Sequence, residues 1–246
     1  MLKGAISAIT KIVNKKTDKV TAVIVAGGKS SRMEGINKIF APLGGEPLIV
    51  SSIKAFENCE RITEIILVLS EENIEQGKLI CDMHGFKKVK ACVLGGKERY
   101  DSSYNGISAA DSKSKYIIIH DGARPFVTEK MITDTLDAAV KRGAAAVGVS
   151  VTSTLKRVKN GLITETVDRS ELYEIQTPQA FRSDVIKAAI KSAIDKKLAI
   201  TDDCMAVEAI GLSPKIVLGS KENIKITVRE DLIIANGILK NRGETE

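Results

Sequence analysis

The chain has 246 residues, of which 43% are hydrophobic and 28% charged, with a formal net charge of +6. This is enough apolar side chain for a sizeable core, and it excludes a disordered chain, a collagen-like repeat and a small disulfide scaffold. No apolar run approaches the ~20 residues that span a bilayer, no dense basic block points to nucleic acid, and with no Trp there is little surface for base stacking.

Residues 1–19 read as a short amphipathic extension, with Leu2, Ile6, Ile9 and Val13 on one helical face and no apolar centre of a secretory signal. Val20–Ala26 reads as a buried strand ending in glycines. A helix over Pro47–Cys59, a strand over Glu64–Ser70, a helix near Glu71–Met83, a strand over Val89–Leu94 and a helix over Glu98–Ala110 follow. Tyr116–His120 is a strand. Thr128–Arg142 is a helix with Thr128 at its start and Gly143 after its end, and Ala145–Val151 is a strand. Strands alternating with helices predict an α/β fold, a Rossmann-like three-layer sandwich around a mostly parallel twisted sheet.

The rhythm breaks at residues 152–176. Thr154–Val158 and Leu162–Val167 flank Asn160-Gly161, a pair that favours a type I′ hairpin turn. A lone two-stranded hairpin is marginal in water, so this protruding arm needs a partner, and a second copy of the chain is the natural candidate. Helices near Ser183–Asp195 and Asp202–Ile210, short strands near Pro214–Leu218 and Ile224–Val228, and a helix near Glu230–Lys240 complete the reading. Residues 20–246 are thus expected to form one domain with an arm at about 152–176.

The four cysteines, Cys59, Cys81, Cys92 and Cys204, contain no C-x-x-C pair and complete no zinc spacing with His84 and His120. They read as free thiols of a cytoplasmic protein.

The first strand runs into Ala26-Gly27-Gly28-Lys29-Ser30-Ser31-Arg32-Met33 and then Asn37-Lys38. Glycines let backbone N–H groups approach a phosphate, and a strand end in an open α/β sheet is where ligands bind. Neither a Walker A sequence nor G-x-G-x-x-G is present, which removes the main support for a P-loop or a dinucleotide site. His120 and Asp121 are adjacent in a strand, so their side chains point to opposite faces and cannot pair as a dyad.

The loop resembles the signature of the sugar-phosphate nucleotidyltransferases. Gly95-Gly96-Lys97-Glu98-Arg99, His120-Asp121-Gly122-Ala123-Arg124-Pro125, Thr166-Val167-Asp168-Arg169, Gln176-Thr177-Pro178-Gln179, Thr201-Asp202-Asp203 and Asn223-Ile224-Lys225-Ile226-Thr227 follow in order. Together they resemble the 2-C-methyl-D-erythritol 4-phosphate cytidylyltransferase family. Lys97 and Ser153 stand where acidic residues are found in members of that family, and the Arg32–Lys38 spacing is one residue shorter than in several of them.

The resemblance implies an enzyme that transfers CMP from CTP to a sugar-alcohol phosphate with Mg²⁺. It gives Arg32, Lys38, Arg169 and Lys225 the work of stabilising phosphate charge. Ala26, Gly27, Gly28, Gly96 and Ser102 would hold the nucleotide. Asp121 would lie near the ribose, the substrate and the metal, with Arg124 beside the substrate. Thr154, Thr177 and Thr201 would contact the sugar alcohol, and the arm would reach a neighbouring subunit in a homodimer. No membrane or nucleic-acid partner is implied. The alternatives are a ribitol 5-phosphate cytidylyltransferase and a non-catalytic nucleotide-binding protein; the T-V-D-R and T-D-D segments favour methylerythritol phosphate.

Overall fold

The computed structural model describes residues 18–28 and 37–243. Arg32 and nearly all of the N-terminal extension lie outside the described residues. In chain order the elements are β1 (Val20–Ala26), the two-residue strands β2 (Pro42–Leu43) and β3 (Glu46–Pro47), α1 (Leu48–Asn58), β4 (Glu64–Leu69), α2 (Ile74–Met83), β5 (Val89–Leu94), α3 (Arg99–Ala109), β6 (Tyr116–Asp121), α4 (Glu129–Arg142) and β7 (Ala144–Ser150). Then come β8 (Leu155–Lys159), β9 (Leu162–Val167), β10 (Tyr173–Arg182), α5 (Ser183–Asp195), α6 (Asp203–Glu208), β11 (Lys215–Leu218) and α7 (Arg229–Arg242).

Apolar strands that bury both faces must lie at the centre of a sheet covered on two sides. Accordingly β1 lies between β4 and β6, and the seven-stranded sheet runs β11-β7-β10-β6-β1-β4-β5. Only the pairings of β10, with β6 and with β7, are antiparallel; the other four are parallel. Ala22, Ile24, Ile65 and Leu67 face α1, α2 and α4 on one side. Val23, Ile66, Ile117 and Ile119 face α3, α5 and α6 on the other. This is the three-layer arrangement expected from the alternation. The Thr128 hydroxyl accepts from the Met131 N–H at 3.3 Å, and Gly143 closes α4 at φ +87°, where a glycine avoids the Cβ penalty. Cys59, Cys81 and Cys204 are buried free thiols, and Cys92 is half-buried.

The arm is a separate pair, β8 with β9. Asn160 and Gly161 both have positive φ, +51° and +79°, as a type I′ turn requires.

Two elements differ from the sequence reading. The stretch given wholly to the arm and the motif after it contain a ten-residue strand, β10. It re-enters the main sheet at Tyr173, opposite Ser150. Pro178 argues against a central strand because it cannot donate to the ladder. Here the register shifts between Ile175 and Gln179, and the proline falls inside that irregularity. Conversely, Ile224–Val228 is not a strand. Its backbone groups are satisfied elsewhere: the Ile226 N–H donates to the Ala123 carbonyl, and the Thr227 and Val228 N–H groups donate to Asp231 in the first turn of α7. The apolar alternation reflects Ile224 and Ile226 packing on α7 with Leu43, Leu48 and Phe126.

Candidate active site

The carboxyl end of β6 and the neighbouring part of β10 open into a cleft of about 440 Å³ whose lining includes Arg99, Asp121, Arg124, Gln179, Thr201 and Lys225. Asp121 ends β6, two residues beyond Ile119, and so projects on the α3/α6 side of the sheet. Its carboxylate lies 3.3 Å from Arg99, 2.8 Å from the Lys225 ammonium and 3.7 Å from Arg124 Nε. Burial alone would raise the Asp121 pKa, but Arg99, Lys225 and Arg124 outweigh it and hold the group well below the ordinary carboxylate value. Three cations meet Asp121. Arg99 is shared with the buried Asp203 and the lining also carries Asp202 and Glu208, so the cleft has no net excess of charge but concentrates its positive groups at Arg124 and Lys225. Such a pair stabilises charge that develops on a polyanion bound against it.

The surrounding chain fixes these cations. Asn223 is fully buried and donates to the Gln176 side chain at 3.1 Å and to the Thr177 carbonyl at 2.9 Å. This pins the segment carrying Lys225 to β10. Arg124 donates to the Asn223 carbonyl at 2.7 Å. Arg99 opens α3 and spans from Asp121 to the wholly buried Asp203 at 2.7 Å.

His120 points to the opposite face, as the strand geometry requires, with its ring 5.1 Å from that of Phe56 in α1. Thr177 Oγ1 accepts from the Asp121 N–H and lies against His120 Nδ1, to which it donates because the Arg124 carbonyl at the other ring nitrogen can only accept. The proton therefore sits on Nε2, which donates to the Arg124 carbonyl. Burial lowers the His120 pKa to about 4, against the raising effect of that carbonyl. The ring is a neutral brace for the loop and no acid–base group in the cleft.

The nucleotide-side residues also converge. Gly27 and Gly95 approach so closely that a Cβ on Gly27 would stand 3.4 Å from the Gly95 Cα. The Gly96 N–H donates to the Ser102 hydroxyl at 3.0 Å, and a Cβ at Gly96 would collide with Asp101 at 2.1 Å. A Cβ on Gly28 would meet nothing within 4 Å. Ala26, Gly27, Gly96 and Ser102 therefore share one wall beside the cation cluster. Lys38 is half-buried on the turn before α1. Thr201 lines the cleft, while the Thr177 hydroxyl is engaged with Asp121 and His120.

Of the expected residues the lining of the Asp121 cleft includes Asp121, Arg124, Thr177, Thr201 and Lys225; it includes none of Ala26, Gly27, Gly28, Gly96 and Ser102, and neither Lys38, Thr154 nor Arg169. Thr154 is exposed at the root of the arm. Arg169 bonds the Thr152 carbonyl of its own chain, at the edge of a second cleft that Arg124, Gln176 and Lys225 also line. The sequence reading missed Arg99, Asp203, Gln179 and Asn223 as site residues. The available signal was a charged or amide residue inside a quoted motif, such as the arginine after Gly95-Gly96-Lys97-Glu98.

The fold and these cations around Asp121, beside a glycine-walled strand end, define an α/β protein that handles nucleotide phosphates. Comparison with known proteins narrows the class. Residues 20–241 match the family model for 2-C-methyl-D-erythritol 4-phosphate cytidylyltransferase, and the chain belongs to that family. The similarly named protein of Alkaliphilus metalliredigens is 43% identical over 93% of this chain and 96% of its own. That of Geobacillus thermodenitrificans is 42% identical over 90% and 97%. The crystal structure of 4-diphosphocytidyl-2C-methyl-D-erythritol synthase from Anaerococcus prevotii superposes with a TM-score of 0.81 at 29% identity, covering 91% of this chain and 96% of its own.

Proposed function

We propose that this chain transfers CMP from CTP to 2-C-methyl-D-erythritol 4-phosphate in isoprenoid biosynthesis, giving 4-diphosphocytidyl-2-C-methyl-D-erythritol and pyrophosphate. The observation that carries this reading is the Asp121 cluster of Arg99, Arg124 and Lys225 beside the Gly27–Gly96–Ser102 wall. A phosphate oxygen of the acceptor attacks the α-phosphorus of CTP. The new O–P bond forms as the bond to the β-phosphate oxygen breaks, and the electron pair leaves with pyrophosphate. The nucleophile is already an anion, so no protein base is needed. Catalysis is positioning plus charge stabilisation, and Lys225 and Arg124 supply cations where charge builds up.

Mg²⁺ would neutralise the triphosphate and its leaving group. Among the described residues no group of three His, Cys, Asp or Glu converges, but Asp121 offers one carboxylate to the cleft. This donor set fits an ion that brings most of its ligands as water and phosphate oxygens, with Asp121 as the protein residue that would hold it. Release of Lys225 from Asp121 toward substrate phosphate would free that carboxylate.

The arm supports a homodimer. Val158, Leu162 and Ile163 are exposed on a hairpin with no core of its own, and a second copy would cover them and receive Arg169 and Thr154. The four free thiols suit the reducing cytoplasm. The test is pyrophosphate release from CTP with each candidate sugar-alcohol phosphate. Rapid release with methylerythritol phosphate supports the proposal. Release with neither that compound nor ribitol 5-phosphate overturns it.

A further inference from the structure

Arg124 and Lys225 reach Asp121 from loops, with no strand under either side chain. The first loop follows β6 and the second follows β11. They are joined where the Arg124 guanidinium donates to the Asn223 carbonyl at 2.7 Å and where the Ile226 N–H donates to the Ala123 carbonyl at 2.8 Å. Irregular backbone holds its side chains only as firmly as its anchors allow. On the second loop, Asn223 is tied to β10, and Thr227 and Val228 are tied to Asp231.

A further anchor comes from the end of α7. Arg242 closes that helix on the face that carries Ala235 and Leu239 into the core shared with Phe126 and Ile226. Its guanidinium grips both loops. Nε and Nη2 donate to Glu222 Oε2 at 3.0 and 2.7 Å, one residue before Asn223. The same group lies 5.2 Å from the centre of the Phe126 ring, two residues after Arg124. The ion pair is 24% and 43% exposed, and a pair so placed contributes little to stability by itself. Phe126 is only 2% exposed, and a planar cation over a buried ring gives the contact a fixed direction. Neither Arg242 nor Glu222 lines either cleft, so neither meets substrate there. The arrangement ties the loop of Arg124 to the loop of Lys225.

We infer that Arg242 is a positioning residue for the transfer: by holding Glu222 and Phe126 together it sets the spacing of Arg124 and Lys225 at Asp121. The inference rests on the cytidylyltransferase reading and adds a residue of the last helix to it. The charge of Arg242 is matched by Glu222, so its effect reaches the phosphates only through the two cations. The anchors at Asn223 and Ile226 remain when it is removed, so the fold survives and the loss falls on turnover. A misplacement on the order of 1 Å can lower a rate ~10²-fold, and with those anchors left about tenfold is expected.

The experiment is steady-state pyrophosphate release at saturating CTP and 2-C-methyl-D-erythritol 4-phosphate, with a melting curve for each chain. Wild type, Arg242→Ala, Arg242→Lys, Glu222→Gln, Lys225→Ala and the double variant Arg242→Ala/Lys225→Ala are compared. Arg242→Ala is expected to lower kcat about tenfold and to move the CTP KM less than about twofold. Its melting temperature should fall by less than about 5 °C. Arg242→Lys, which keeps the charge and loses the planar fork, should recover kcat to within about threefold of wild type. The decisive readout is the double variant. If Arg242 acts through Lys225, its removal lowers kcat less than about threefold once Lys225 is already gone. A tenfold loss that persists undiminished in the Lys225→Ala background overturns the inference, because it marks a general loosening of the fold. So does a kcat within about twofold of wild type in Arg242→Ala. If Arg242→Ala does not fold, Glu222→Gln, at a half-exposed position, is carried through the same cycle and decides. A wild type that releases no pyrophosphate with either this acceptor or ribitol 5-phosphate defeats the underlying cytidylyltransferase reading, a result distinct from unchanged turnover in an active enzyme.

Discussion

The end of β6 and the arm of β8 and β9 lie 34 residues apart in sequence, from Asp121 to Leu155, and obey opposite rules. Around Asp121 the carboxylate is buried, and it is held by cations from α3 and the loop after β11, far away in the chain, and by Arg124 three residues on. On the arm, Leu162 and Ile163 are 71% and 67% exposed, and the ion pair Arg157–Glu165 is open to water on both sides. Such a pair contributes little. The body thus supplies its own preorganised electrostatics, whereas the arm has a fixed turn and register but nothing to pack on. In this account the chemistry is built by one chain and completed by another.

The comparison breaks first at Lys225. Replacing it with Ala should leave the melting temperature nearly unchanged, because Arg99 and Arg124 still compensate Asp121. It should lower kcat by ~10²–10³, the scale of one lost charge-stabilising donor. Turnover within a few-fold of wild type at saturating substrates would remove the cluster from the chemistry.

A second expectation concerns the brace behind the cluster. The folded-state pKa of His120, about 4, lies below its ordinary value of 6.5. Stability is therefore full above pH 6.5 and is lost as pH falls from 6.5 toward 4, because only the unfolded chain takes up the proton there. The loss is about 3 kcal/mol. Denaturant melts at pH 7 and 4.5 should show that slope in the wild type and a shallower one in His120→Asn. Equal slopes would place His120 outside the account.

The smallest effect separates the arm from the body. Changing Leu162 and Ile163 together to Ser should alter the monomer's unfolding free energy by less than ~0.5 kcal/mol each, as at exposed sites. The same change at Ile118 or Ile119, both fully buried, should cost several times more. The arm variant should instead weaken self-association in sedimentation. An arm variant that unfolds would mean the hairpin packs on its own body.

Much of this division is legible in the sequence. Buried runs such as Glu64–Leu69 and the capped helix Glu129–Arg142 announce themselves by period, cap and terminal glycine, and Asn160-Gly161 fixes the hairpin turn. β10 is not legible, because its polar residues and Pro178 argue against a central strand, and the local irregularity that tolerates the proline is set by neighbouring strands. Ile224–Val228 misleads for the converse reason: tertiary packing on α7 imitates strand alternation. In the cleft, Lys225 and Asp121 are reached through their motifs. The partnership of Arg99 with Asp203 spans 104 positions, and that of Arg242 with Glu222 and Phe126 exists only once α7 has packed on both loops. Neither leaves a periodic or compositional trace.

The most direct test of a site made by one chain and completed by another is complementation. Arg169→Ala and Lys225→Ala chains are prepared separately, each expected to be nearly inactive, then mixed in equal amounts under conditions where subunit exchange is verified by mass tags. Half of the dimers are then mixed, and in each of them one of two sites joins an intact body to an intact arm. The account predicts recovery of about a quarter of wild-type activity, by the arithmetic of random pairing in a two-fold dimer. A mixture that stays as inactive as its parents after full exchange would mean that Arg169 serves its own chain, and would contradict the shared site.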